Sequence, residues 1–253
     1  MNHWQEVLRA PQDGDHIVQV YQDRDFLATA VAEYVGTGLQ RGEAAIIICR
    51  PENAQAFMNR LGSLHIDVVE AMDRGQLTVL DAETTLLRFL KDGEPQWTPF
   101  HQVVGGAIAE ARLHFPVVRA YGEMVDILWQ RGARDAAIRL EEFWNELARL
   151  QTFSLFCAYY LDNLDSSTYA GLECICKVHN HLIPARDYES FDESVAQATE
   201  DVLEQPLARM LLSMSAVDRP STRMPLGQVI LLWLQKNMPM TAERVLAEVR
   251  TRS

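Results

Sequence analysis

The chain has 253 residues, 23 Lys+Arg against 35 Asp+Glu for a formal net charge of −12, and 48% hydrophobic residues. Such a composition belongs to a globular protein able to bury a full core, and it excludes disorder as the main state. The negative balance disfavours non-specific binding to nucleic acid, because a polyanion is repelled.

No stretch approaches the roughly 18 uninterrupted apolar residues that span a bilayer. The first residues, Met1-Asn2-His3-Trp4-Gln5-Glu6, hold no basic segment followed by an apolar one, so a cytoplasmic protein is expected. Cys49, Cys157, Cys174 and Cys176 are too few for a disulfide framework in a chain of this length. Cys49 and Cys157 lie inside apolar runs, where a reduced thiol acts as a small hydrophobe.

In chain order, His16 to Tyr21 reads as a first strand. Phe26, Leu27, Ala30, Val31, Tyr34, Val35 and Leu39 form a helical stripe after it. Gly36, Gly38 and Gly42 read as helix-stop punctuation before a second strand, Ala45 to Cys49, which is apolar on both faces. Pro51 opens a helix expected to end near Leu61, with Gly62 past its end. Gln76 to Asp81 is a third strand, with a helix from Glu83 to Lys91 and another from Thr98 to His114. Val117 to Tyr121 is a fourth strand, with helices around 124–130 and 135–150, and Phe153 to Tyr159 is a fifth. Phe143, Trp144, Leu147 and Leu140 share a helical face that must cover the sheet. This alternation predicts an α/β fold: a mostly parallel sheet with helices on both faces, followed by a small helical appendage.

Ligands of such sheets bind at the carboxyl ends of the strands. Those ends hold Tyr21, Asp23 and Asp25, then Arg50-Pro51-Glu52, then Asp81 and Glu83, then Tyr121 and Glu123 with Arg119 on the same strand, then Tyr159 and Tyr160. All of these except Arg50, Pro51, Glu52 and Tyr160 are the candidate ligand-binding residues. Arg119 is expected to be a buried cation paired with Glu123 or Asp25. A phosphate loop would need glycines and a lysine after the first strand. The turn there is Tyr21-Gln22-Asp23-Arg24-Asp25, which has neither and adds two carboxylates. The acids at the strand ends, with Asp126, also allow a metal-dependent enzyme. The simpler reading is that they favour helix N-termini, with Asp25 capping the first helix.

Cys174, Cys176, His179 and His181 form the sharpest local metal pattern, since two thiolates and two imidazoles suit tetrahedral zinc. On one helix, however, Cys174 lies about 200° around the axis from Cys176, so a partly buried helix end is the stronger reading. No Ser–His–Asp arrangement or nucleophile elbow is present, and no cofactor is called for.

The tail changes character. Asp187 to Ala208 holds seven acids and no Lys or Arg, whereas Arg209 onward carries +4 and leaves −16 on the first 208 residues. Pro220-Ser221-Thr222 marks a break. Leu226, Val229, Ile230 and Trp233 then make a helical stripe that must be buried against its own domain or a second copy.

Several strings resemble the MEDS domain, the methanogen/methylotroph sensory domain described in a regulator of dichloromethane degradation. They include Gln19-Val20-Tyr21 with Asp25-Phe26-Leu27, Gly38-Leu39-x-x-Gly42-Glu43, and Gly75-x-Leu77-x-x-Leu80-Asp81-Ala82. Arg119-Ala120-Tyr121-Gly122-Glu123-Met124-Val125-Asp126 is the most specific of them. Leu140-Glu141-x-x-Trp144-Asn145, Phe153-Ser154-Leu155-x-Cys157-Ala158-Tyr159 and Cys176-x-x-His179-x-x-x-Pro184 complete the set. The resemblance runs from about His16 to Tyr188. It implies a core like that of RecA and the circadian-clock ATPases without a phosphate loop, and a role in sensing small hydrocarbon derivatives.

The expected organisation is a sensory domain over 1–188 and an output or oligomerisation appendage over 189–253. The expected function is non-catalytic signal transduction through a small ligand or a regulatory partner such as a sensor kinase or transcription regulator. A homodimer is allowed. A DNA-binding regulator acting through the basic tail is the other alternative, weakened by the absence of aromatic–basic interleaving.

Overall fold

The computed structural model describes residues 3–183, 188–217 and 224–252. Helix α1 (His3–Arg9) precedes β1 (His16–Tyr21), α2 (Arg24–Gln40) and β2 (Ala44–Cys49). Helices α3 (Pro51–Ser63) and α4 (Val68–Asp73) lead to β3 (Leu77–Asp81), α5 (Ala82–Leu87) and a small hairpin, β4 (Leu90–Lys91) and β5 (Glu94–Pro95). Helix α6 (Trp97–Phe100) runs through a π-helical turn (His101–Gly105) into α7 (Gly106–His114). Then come β6 (Val118–Gly122), α8 (Met124–Gln130), α9 (Arg134–Leu150), β7 (Ser154–Tyr160), α10 (Ser166–Val178) and β8 (His181–Ile183). Four helices close the chain: α11 (Tyr188–Val202), α12 (Gln205–Val217), α13 (Leu226–Asn237) and α14 (Pro239–Arg252).

Six strands form one sheet in the order β3-β2-β6-β7-β1-β8, and every pairing in it is parallel. The connections β1 to β2 and β2 to β3 run one way across the sheet and lay α2, α3 and α4 on one face. The connections to β6, β7 and β8 run the other way and lay α5 to α10 on the opposite face. That reversal is what right-handed crossovers require. Both faces are dry. Val118 and Ala120 of β6 join the core under α8 and α9, while Tyr121 joins the core under α2 and α3. On the second face Phe57, Tyr121, Phe156 and Tyr34 meet edge to face at centroid distances of 5.3–5.4 Å.

The expected α/β architecture is present with differences that have physical causes. Strand β8 falls where a helix end was expected. His181, Leu182 and Ile183 pair with β1 at Ile17, Val18 and Gln19, a run too short to show a period. Gly36 and Gly38 lie inside α2 rather than ending it, and Gly42 takes the positive φ of 78° that stops the helix. Gly62 is likewise inside α3, and His65 adopts the left-handed turn at φ 60°. Pro184 and the break at 220–222 lie outside the described residues.

The C-terminal region is helical, as expected. Its α13 buries Ile230, Leu231 and Leu234, while Leu226, Val229 and Trp233 remain half-buried. The buried face is therefore rotated from the expected stripe, and α13 lies in contact with α10 and α11. No described helix is long and apolar enough to cross a membrane.

Arg119 organises the amino-terminal end of the sheet. Its guanidinium donates to the Leu8 and Tyr34 carbonyls at 3.0 and 2.7 Å, to Thr37 Oγ1 at 3.1 Å and to the Arg9 carbonyl at 3.2 Å. Its Nε meets Glu43 Oε2 at 2.5 Å. A Cβ on Gly38 would lie 2.6 Å from that Nε, so glycine is what lets α2 pass the cation. Replacing Arg119 with Leu leaves Glu43 and several carbonyls without their donor. We expect a loss of about 3–5 kcal/mol of unfolding free energy, measured by urea denaturation, with Gly38→Ala destabilising in the same direction.

Candidate functional site

At the carboxyl end of the sheet, the loops after β1 and β2 turn to one face and those after β6 and β7 to the other. The chain therefore has switch points between β2 and β6 and between β7 and β1, where α/β sheets open a crevice. One polar network spans them. Glu123, fully buried, accepts from the Arg50 N–H at 2.8 Å, Asn53 Nδ2 at 2.8 Å and the Tyr121 hydroxyl at 2.9 Å. Asp126, also fully buried, accepts from Arg50 Nη1 at 2.6 Å, Gln130 Nε2 at 3.1 Å and the Tyr160 N–H at 3.0 Å. Tyr21 packs edge to face on Tyr160 at 5.6 Å, and Tyr160 is 45% exposed.

Burial raises both carboxyls above their ordinary range, against the lowering effect of Arg50 and the other donors. Burial also pushes the Tyr21 hydroxyl up, with Glu123 and Asp126 adding to it.

Other sequence candidates serve elsewhere. Asp23, not Asp25, caps α2 by accepting from the Asp25 and Phe26 N–H groups. Asp81 caps α5 through the Thr84 N–H and hydroxyl, which hold its carboxyl below the usual range. Glu83 pairs with Arg131. Arg119 shares a face with Tyr121 but starts its strand, so it lies at the far end of the sheet from Glu123 and pairs with Glu43. The expected pairing with Glu123 or Asp25 is thus replaced, because a parallel strand separates residues 119 and 123 along its length. Tyr159 points to the opposite face, where its hydroxyl donates to Glu141 Oε1 at 2.6 Å.

The metal pattern is also redistributed. Cys174 is exposed, and Cys176 is half-buried with its thiol pushed up by burial to about 12. His181 leaves for β8, where its Nε2 meets Asp15 Oδ1 at 3.1 Å. Only His179 turns into the core. There it joins His16 from β1, Glu141 from α9 and Cys157 from β7, all buried, with one ligand-capable atom of each within 4.8 Å of the others. Among the described residues, this is the group whose chemistry could hold a metal. Burial alone would raise Glu141, but the imidazoles of His179 and His16 hold it well below the usual carboxylate range.

The residues missed from sequence were Asn53, His16, Glu141 and Cys157, whereas Arg50 and Tyr160 stood among the strand-end residues. Glu141 had a signal, since it sits three residues before Trp144 on the apolar face of α9. His16 alternates with Val18 and Val20 on the same strand face. Asn53 had none, because proline-initiated helices commonly hold such a residue in their first turn.

The geometry is that of a doubly wound α/β domain with its polar network across the switch points. The family model described as MEDS, MEthanogen/methylotroph, DcmR Sensory domain, matches residues 15–180, from the turn before β1 to the start of β8. This chain belongs to the MEDS family, and its membership suggests a sensory role in signalling. No curated protein matches the chain.

The raised carboxyls predict a pH signature. A group whose folded pKa exceeds its unfolded value contributes stability below the unfolded pKa, and that contribution is lost as pH rises through the folded one. Over the pH range from about 4 up to neutrality, Glu123→Gln should remove part of the wild-type decline in unfolding free energy. Parallel denaturation curves for wild type and variant across that window would contradict the assignment.

Proposed function

We propose that the chain is a non-catalytic sensor whose switch-point crevice receives a small hydrocarbon-derived ligand, and whose C-terminal helices carry the response to a regulatory partner. The observation that carries this reading is the position of the loop at 161–165 between the two. On the crevice side, Asp126 holds the Tyr160 N–H, and Gln22 Nε2 donates to Asp162 Oδ1 at 2.7 Å. On the tail side, Gln228 Nε2 donates to Asn163 Oδ1 at 3.2 Å, and Arg250 bonds the Leu164 carbonyl. A ligand that shifts Tyr160 pulls on groups that touch α13 and α14. A sensor kinase or transcription regulator is the class of partner proposed, with a second copy of the chain as a further candidate.

Support for a non-catalytic role comes from the saturation of Glu123 and Asp126 by the protein's own donors. Asp23 likewise occupies the α2 N-terminus that a phosphate would need, which fits a RecA-like core without its phosphate loop. Three of the tail's basic groups are engaged within the chain, Arg250 with the Leu164 carbonyl, Arg252 with Asp201 and Glu248, and Lys236 with Glu173, which weighs against DNA binding.

The test is a titration of the full chain with a panel of small hydrocarbon derivatives, followed by backbone amide chemical shifts. We expect at least one compound to perturb Gln22, Arg50 and Tyr160, and to bind about tenfold more weakly, some 1.4 kcal/mol, to Tyr160→Ala. Shifts confined to other regions, or none with any compound, would contradict the reading.

A further inference from the structure

The core beneath α9 and α10 holds four ligand-type side chains whose geometry the strand-end network does not use. His16 Nε2 lies 3.1 Å from Glu141 Oε2, and His179 Nε2 lies 3.4 Å from Glu141 Oε1. Cys157 Sγ lies 3.5 Å from both His16 Nε2 and Glu141 Oε2. A tetrahedral zinc ion with bonds of about 2.0 Å to N and O and about 2.3 Å to S separates its ligands by about 3.3 Å for N and O and about 3.5 Å for pairs with sulfur. The three separations among His16 Nε2, Cys157 Sγ and Glu141 Oε2 match one face of such a tetrahedron, and His179 Nε2 stands beside the other oxygen of the same carboxylate, with one ligand atom of each of the four residues within 4.8 Å of the others.

The hydrogen bonds around the cluster turn the right atoms inward. His179 Nδ1 donates to the Ile175 carbonyl at 2.7 Å, which leaves Nε2 as the nitrogen turned toward the cluster. His16 Nδ1 lies 2.9 Å from Asn145 Oδ1, and Asn145 Nδ2 donates to the Val178 carbonyl at 2.9 Å, which fixes that amide. His16 therefore also turns its Nε2 toward the cluster. His179 Nε2 is buried and has no hydrogen-bond partner. Tyr159 holds the Glu141 carboxylate from outside at 2.6 Å. Two imidazole nitrogens, a carboxylate and a thiol thus gather in the core within 4.8 Å of one another. Oriented imidazoles backed by carbonyl or amide oxygens are the outer shell that metal-binding histidines use.

We propose that His16, Glu141, Cys157 and His179 bind one zinc-class divalent cation. The thiol would bind as thiolate, releasing its proton to solvent as the ion enters. All four ligands are buried, which fits a closed structural site rather than a catalytic one with an open position. The ion would join β1, β7, α9 and the segment between α10 and β8. That closure pins the edge strand β8, whose three residues pair only with β1.

The full chain, purified with any affinity tag removed, is assayed for metal by mass spectrometry, and its apo form is titrated with zinc and with cobalt. We expect close to one ion per chain, unchanged in the Cys174→Ser/Cys176→Ser double variant and largely lost in His179→Gln. The cobalt form should show tetrahedral ligand-field bands and a sulfur-to-metal charge-transfer band that is absent from Cys157→Ser. As a check independent of variant folding, zinc should raise the melting temperature of the wild-type apo chain. Three results would overturn the proposal: wild type that takes up less than about a tenth of an equivalent, a zinc titration that leaves its melting temperature unchanged, or full metal content in His179→Gln.

Discussion

Asp126 is a carboxyl that the core cannot solvate, and it meets that constraint by gathering the loop after β2, the end of its own helix and the end of β7 onto its two oxygens. Arg50 arrives from the loop after β2, Gln130 from the end of α8, and the Tyr160 N–H from the end of β7. Each strand end is fixed by the requirement that a buried carboxylate be satisfied on every side. Glu123 repeats the arrangement one turn earlier, with the Arg50 N–H and Asn53. The crevice of a doubly wound sheet is usually lined by mobile loops. Here its floor is a hydrogen-bonded unit, and Tyr160, packed on Tyr21, is the large side chain left partly in water.

The same constraint operates at the other end of the sheet and on its other face. Arg119 is satisfied by carbonyls of α1 and α2 together with Glu43, so the amino-terminal helix is tied to the centre of the sheet. On the opposite face, Glu141 faces two imidazoles and a thiol and is backed by Tyr159. Among the described residues, Asp126 with Glu123, Arg119, and Glu141 thus place buried ionisable groups at three points of the core, and each joins elements distant in sequence. A parallel sheet covered on both faces can admit charge only where several elements supply partners at once.

This explains how much could be read from the sequence. Strands β1, β2, β3, β6 and β7 were legible because runs apolar on both faces alternate with amphipathic helices. The MEDS family was legible in strings such as Arg119 to Asp126. Strand β8 was not, because three residues after a helix carry no period. Glu123 and Tyr121 were correctly placed near one another, since they follow one strand. Arg119 was misplaced because adjacency in sequence hides a separation along the strand axis. The cysteine–histidine run suggested a metal, but local spacing could not show that His179 turns inward to meet His16, Glu141 and Cys157 from three other elements.

The account makes the Asp126 network the mechanical link between the crevice and the C-terminal helices through the loop at 161–165. Hydrogen–deuterium exchange on the full chain, comparing wild type with Asp126→Asn, tests that link without knowledge of the ligand. The account predicts faster exchange in the mutant at Tyr160 and the following loop and in α13 and α14 near Gln228 and Arg250, with β3 and α4 unchanged. Exchange altered only around α3 and α8, with the loop and the C-terminal helices as protected as in wild type, would contradict it.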